Sequence, residues 1–195
     1  NYMKEIKLSD KFKIYRGFYK GSYKTKDFLR AVEINKIISI PTNNNSLWIE
    51  FNSIALQSVN VQIKTFLSSK DRRVFKNSAE HYWVYTQTKD YNQDWMHQHL
   101  NVHPGNRSKV KTDYSFTFYI NQLNNLKKDE GKIIFKTEDN KEHKFLPKTN
   151  EIFIFPANLW HKAVPTPNHK EERIVYGGSL AFNVEEPPCF KKAVI

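Results

Sequence analysis

The chain carries one cysteine, Cys189, in 195 residues. A single thiol closes no internal disulfide and builds no cysteine-based zinc finger. A reducing, intracellular setting is therefore the expectation. With no signal-peptide pattern at its start, the sequence reads as that of a cytoplasmic protein. No apolar run approaches the roughly 18 residues that a membrane span needs. Arginine is scarce as well, at only six of 31 basic residues. Nucleic-acid sites favour arginine clusters interleaved with aromatics, and here the lysines are scattered. The net charge of +11 thus reads as a solvated lysine surface, with an anionic substrate or partner left open. The wealth of Lys, Asn and Ile resembles the coding bias of an AT-rich genome. Neither an internal repeat nor a linker is visible.

What is present is enough chain to bury a substantial core. One domain over residues 1–195 is expected. Residues 1–79 would be a support region of helix and strand, and residues 80–186 a β core. Phe12, Ile14, Arg16 and Phe18 alternate with polar neighbours, which predicts a strand over 11–18. Thr25 is placed to cap a helix over 26–38. The apolar spacing over 59–67 fits helix better than strand. From residue 80 the pattern changes to short strands at 82–86, 114–120, 132–135, 142–145, 151–155, 160–164 and 173–183. Asp139-Asn140 marks a hairpin turn between two of them. Short strands separated by turn signals predict a β-sandwich or barrel, with the early helices covering one face.

Against that background Trp95-Met96-His97-Gln98-His99-Leu100 stands out. Residues i and i+2 of an extended strand share a face, so His97 and His99 can aim at one point. His161 follows a buried-looking strand at 151–155 and the turn Pro156-Ala157-Asn158-Leu159-Trp160. A neutral imidazole is the commonest side-chain metal ligand near neutral pH. Three of them suit catalytic zinc, iron or copper, and ligand type alone does not choose. His103 is a spare candidate in a polar loop. His81, His143 and His169 read as packing or surface residues. Trp95 and Trp160 flank the proposed ligands and are expected to wall a substrate pocket.

Arg173 sits twelve residues after His161 in the apolar strand Arg173-Ile174-Val175-Tyr176. A buried arginine needs an anionic partner, either an internal Asp or Glu or the carboxylate of a ligand held by its planar fork. In order along the chain, His97, Glu130-Gly131-Lys132-Ile133-Ile134-Phe135, the stretch 150–161 and Arg173 ahead of Ser179-Leu180-Ala181-Phe182-Asn183 resemble the 2-oxoglutarate/Fe(II)-dependent oxygenases. The likeness spans about half the chain. It is strongest to small prolyl-hydroxylase-like members, frequent in bacteria and their phages.

The resemblance implies a double-stranded β-helix, a mainly β jelly roll with flanking helices, in a bacterial or phage-infected cell. It implies Fe(II) on His97 and His161, with 2-oxoglutarate as cosubstrate and O2 as oxidant. Arg173 would bind the distal carboxylate of 2-oxoglutarate, assisted by a hydroxyl from Tyr119, Thr117 or Ser179, of which Tyr119 is favoured. The reaction implied is hydroxylation of a substrate, a small molecule or a protein side chain, with release of succinate and CO2. One departure is plain. The family places Asp or Glu two residues after the first histidine, and here that residue is His99. Either His99 is the third ligand or a carboxylate such as Asp94 or Asp113 replaces it. Two alternatives stand beside this reading: a three-histidine cupin-type metalloenzyme that uses no 2-oxoglutarate, and a non-catalytic β-sandwich binding protein.

Overall fold

The computed structural model describes residues 3–38, 46–48, 53–72, 78–87, 95–101, 110–167 and 169–182. In chain order its elements are β1 (Met3–Lys7), β2 (Lys13–Phe18), α1 (Thr25–Ile38), β3 (Ser46–Trp48), α2 (Ile54–Ser68), β4 (Ser78–Gln87), β5 (Tyr114–Tyr119), β6 (Ile133–Lys136), β7 (Glu142–Phe145), β8 (Glu151–Pro156), β9 (Trp160–Ala163) and β10 (Arg173–Phe182). The strands form a seven-stranded sheet, ordered β1-β2-β8-β5-β10-β4-β3, and a three-stranded sheet, ordered β7-β6-β9. Every pairing is antiparallel. An isolated bridge between His97 and His161 adds the His97 segment to the free edge of β9. Two facing antiparallel sheets with helices on one side are a jelly roll, as the family resemblance implies.

Alternation along the strands of the large sheet divides the core in two. One face carries Phe116, Phe118, Ile152, Ile154, Ile174, Tyr176 and Leu180 and packs against the apolar side of the helices, including Phe28, Val32, Leu56, Val59 and Ile63. The other face carries Tyr119, Phe153, Phe155 and Val175, which meet Ile133 and Phe135 of the small sheet. The long strand β10 is buried along its whole length, because sheet covers one side of it and helices the other. The helix start differs in detail from expectation. Thr25 opens α1 rather than capping it, and its hydroxyl points to Asn150. The Asp27 carboxylate accepts the backbone N–H of Lys24 at 2.7 Å instead. At the other helix, Ser53 caps α2 by accepting from Leu56 N.

The short strand β1, hidden in the sequence by its lysines and glutamate, forms the outer edge of the large sheet. Next to it, Arg16 of β2 grips Glu151 of β8 through both guanidinium and carboxylate arms, at 2.5 and 3.2 Å. The Arg16 guanidinium also lies over the rings of Phe145 and Phe153. Asn140 takes a positive φ of 64° in the β6–β7 hairpin, as the Asp139-Asn140 turn requires. Phe118, fully buried and packed edge-on against Phe28 at 5.0 Å, ties the sheet to α1. Phe118→Ala is expected to cost about 3–5 kcal/mol, read as a lower midpoint in denaturant unfolding with an unchanged slope.

Candidate metal centre

Backbone pairing brings the three histidines together. His97 and His161 exchange N–H···O bonds at 2.9 and 3.0 Å. His99 N donates to Ala157 O at 3.0 Å, so the two segments are laced side by side. Extended geometry then sends His97 and His99 to one face, opposite His161. One nitrogen of each ring lies within 4.8 Å of the other two, a spread that a shared ion about 2 Å from each nitrogen would draw in. Ring centroids are 4.4 Å apart for His97–His161 and 5.0 Å for both pairs that include His99.

Two of the rings are oriented by carbonyls. His161 Nδ1 lies 2.9 Å from Leu159 O and His97 Nδ1 3.2 Å from Trp95 O. A carbonyl only accepts, so Nδ1 carries the proton and Nε2 keeps its lone pair for a metal. Burial lowers the His97 pKa, and it holds that of His161 well below the ordinary value. For His99, burial and then the neighbouring His97 and His81 lower it to about 3. All three imidazoles are therefore neutral at pH 7, the state in which they ligate.

His99 has no hydrogen-bonded ring nitrogen among the described residues, and a different contact sets its plane. It stacks on Trp83 of β4 with centroids 5.0 Å apart and planes 23° from parallel. Trp83 lies over Gly177 of β10, its cross-strand partner. A Cβ on Gly177 would sit 2.8 Å from the indole Nε1, so the glycine makes room for the indole that supports the ring. The sequence shows Trp83 only as a good strand residue.

Other expected site residues fall differently. Asp113 is no ligand: its carboxylate accepts Phe182 N at 2.8 Å at the end of β10. Asp94 and His103 lie outside the described residues. The chain does contain one His-x-Glu, His169-Lys170-Glu171, but it belongs to the β9–β10 connection, where His169 meets Glu130 at 3.1 Å. Trp160 does not wall the site. It alternates with His161 on β9, faces away from it and is 47 % exposed. Trp95 is 55 % exposed beside His97, so neither indole lines an interior cavity.

At the far end of the interior lies Arg173, fully buried. It donates through Nη1 to Gly131 O and through Nη2 to Val164 O at 3.5 Å. Its guanidinium stands over the Tyr119 ring, 5.5 Å from the centroid. Gly131 holds φ at +68°, and a Cβ there would come within 3.0 Å of Arg173 Nη1, so this turn is built close around the guanidinium. No carboxylate among the described residues pairs with Arg173. Among the described residues its Nε has no hydrogen-bond partner, nor do Tyr119 OH, Thr117 Oγ1, Ser115 Oγ and both amide atoms of Gln87. These residues share the inner face of the large sheet, and Ser179 is buried beside Ser115 in the same register. Buried polar atoms are nearly always satisfied, so this concentration marks a place shaped for a polar, anionic ligand.

No family model matches the chain, and no curated protein does. Solved structures match over most of its length. A viral collagen prolyl hydroxylase from Paramecium Bursaria Chlorella virus-1, in complex with 2-oxoglutarate, aligns with a TM-score of 0.61 and 11 % identity, covering 87 % of this chain and 96 % of that one. The chain has the fold of the 2-oxoglutarate/Fe(II) oxygenases. A Trichoplax adhaerens prolyl hydroxylase, bound to a hypoxia-inducible-factor oxygen-degradation-domain peptide fragment, aligns with a TM-score of 0.60 and 14 % identity over 88 % and 83 % of the two chains. HygX from Streptomyces hygroscopicus, with nickel and 2-oxoglutarate bound, gives 0.55 and 10 % over 87 % and 82 %. The shared fold thus accounts for the two facing sheets.

Gly177→Ala is expected to push Trp83 off the His99 ring and weaken Ni(II) binding about tenfold or more, with little change in far-UV circular dichroism. Calorimetric titration with Ni(II) checks this, and unaltered affinity would show that the stack does not orient His99.

Proposed function

We propose that this protein is an Fe(II)- and 2-oxoglutarate-dependent oxygenase that hydroxylates a C–H bond of a small molecule or a protein side chain. The observation that carries the reading is Arg173: a buried guanidinium with no carboxylate partner among the described residues, in the same interior as three neutral histidines. Removing a charge from water costs several kcal/mol unless an opposite charge meets it. Two carbonyl oxygens satisfy hydrogen bonds but leave the charge whole.

The residues fit the group. His97, His99 and His161 would hold the metal by nitrogen. Arg173 would bind the distal carboxylate bidentately or by Nε and one Nη. Burial pushes the Tyr119 phenol up, although the guanidinium beside it opposes the shift. Tyr119 therefore keeps its proton and can donate to the same carboxylate, with Thr117 and Ser179 as further hydroxyls along the inner face. Along β10, Gly177, the level at which Trp83 supports His99, lies four positions beyond Arg173. That is about 13 Å of strand, an interval that an arginine side chain and a five-carbon dicarboxylate span together. Phe135 and Phe155 pack close to His161 and keep that side of the centre dry. What the bound metal, cosubstrate and O2 supply is oxidation of a C–H bond, with 2-oxoglutarate converted to succinate and CO2.

The protein's own contribution is placement and exclusion of water. With no carboxylate in the ligand set, the centre keeps the full charge of a divalent ion. That favours an anionic cosubstrate over a neutral one. The three-histidine set also favours a second reading, a cupin-type enzyme that uses no 2-oxo acid, but such an enzyme has no use for Arg173. No helix among the described residues is long and apolar enough to cross a membrane. The substrate is expected to reach the metal from the exposed side of His97, past Trp95.

Succinate formation from 2-oxoglutarate with Fe(II) and O2, without added substrate, tests the proposal. Arg173→Ala should lower it about a hundredfold or more, with partial recovery in Arg173→Lys, and His99→Ala should lose iron. Wild-type rates in Arg173→Ala would remove Arg173 from the cosubstrate site, and a wild type that binds iron but forms no succinate would favour the second reading. Full iron occupancy in His99→Ala would remove His99 from the ligand set.

A further inference from the structure

Two residues of the unsatisfied polar cluster, Ser115 and Gln87, have no part in the site so far described, and of the two Gln87 lies across from Arg173. Gln87 is the last residue of β4 and the direct cross-strand partner of Arg173. Side chains so paired stand about 4.5–5.5 Å apart at Cβ and share a face. Which face is plain from its own strand: Trp83 stacks on His99, Tyr85 packs in the cluster between the sheets, and Gln87 continues that alternation. Gln87 is fully buried. Among the described residues neither its amide nitrogen nor its amide oxygen has a partner, and the same is true of Arg173 Nε opposite and of Tyr119 OH beside them.

We propose that Gln87 is a specificity-determining residue that, with Arg173, binds the distal carboxylate of the cosubstrate and restricts the pocket to 2-oxo acids that end in a carboxylate. This rests on the cosubstrate reading given above. A primary amide offers two N–H donors and one acceptor oxygen. The amide N–H can donate to a ligand carboxylate, while the amide oxygen can accept from Arg173 Nε–H or Tyr119 O–H. The identity of the residue supports the role. A glutamate here would pair with Arg173 and fill the anion site from within. A leucine would pack as well but offer no donor. Glutamine leaves the charge of Arg173 available and adds hydrogen bonds to whatever carboxylate takes it.

The test uses the full chain loaded with Ni(II), so that binding is measured without turnover. Calorimetry compares 2-oxoglutarate with 2-oxopentanoate, which has the same five carbons and no distal carboxylate. The wild type should prefer 2-oxoglutarate strongly. Gln87→Leu should weaken 2-oxoglutarate about ten- to a hundredfold, as expected for loss of a hydrogen bond to a charged group, and leave 2-oxopentanoate unchanged. Gln87→Glu should abolish 2-oxoglutarate binding while melting at or above the wild-type temperature, because its carboxylate meets Arg173.

Equal 2-oxoglutarate affinity in Gln87→Leu and wild type would overturn the proposal and leave the cosubstrate reading intact. The same would follow if Gln87→Leu weakened both acids alike. A Gln87→Glu protein that melts well below wild type would show that residue 87 does not reach Arg173. Failure of the wild type itself to bind 2-oxoglutarate would overturn the cosubstrate reading, and the role of Gln87 with it.

Discussion

A guanidinium buried without a counter-ion is the constraint on which the site depends. Arg173 is held by two backbone carbonyls and the face of Tyr119. Those contacts fix its position and leave its charge uncompensated. Around it the fold is built tightly: Gly131 turns with a positive φ beside it, and β4, β5 and β10 present unsatisfied donors to the same space. An interior that served only for stability would put apolar groups there, because burying charge is usually a poor way to stabilise a fold. The arrangement makes sense as a site that a carboxylate completes.

The second constraint lies at the metal end. Three imidazoles kept neutral by burial stand together where the resembled family has two imidazoles and one carboxylate. Two are oriented by main-chain carbonyls two residues earlier, a local device that follows from strand geometry alone. The third has no such partner and rests on Trp83, for which Gly177 leaves space. The face of an indole favours positive charge, so stacking also suits an imidazole that shares the charge of a bound cation. Ligand, indole and glycine come from three separate stretches of chain, and only the folded sheet brings them together.

Much of this is legible in the sequence. His97 and His99 share a face because a strand has a period of two, and His161 joins them across one backbone bridge. Arg173 stands out because a charge interrupts an apolar strand. The body of the second helix, over 59–67, and the strands from residue 114 onward follow from spacing and turn residues, while the first turn of that helix from Ile54 does not. Less legible is what depends on pairing between distant strands. Strand β1 has too few apolar residues to declare itself. Trp160 looks like a pocket wall by proximity to His161, yet the same period of two turns it outward. Gln87 resembles an ordinary polar residue at a strand end. Its significance is that Arg173 lies across from it and nothing among the described residues satisfies its amide.

The central claim is that one interior holds both a metal on three histidines and a 2-oxo acid on Arg173. An anaerobic visible spectrum of the protein with Fe(II) and 2-oxoglutarate tests both at once. A weak charge-transfer band from an iron-bound 2-oxo acid is expected in the wild type and not in Arg173→Ala. Tight iron binding with no such band at any 2-oxoglutarate concentration would contradict it and point instead to a three-histidine enzyme of another kind.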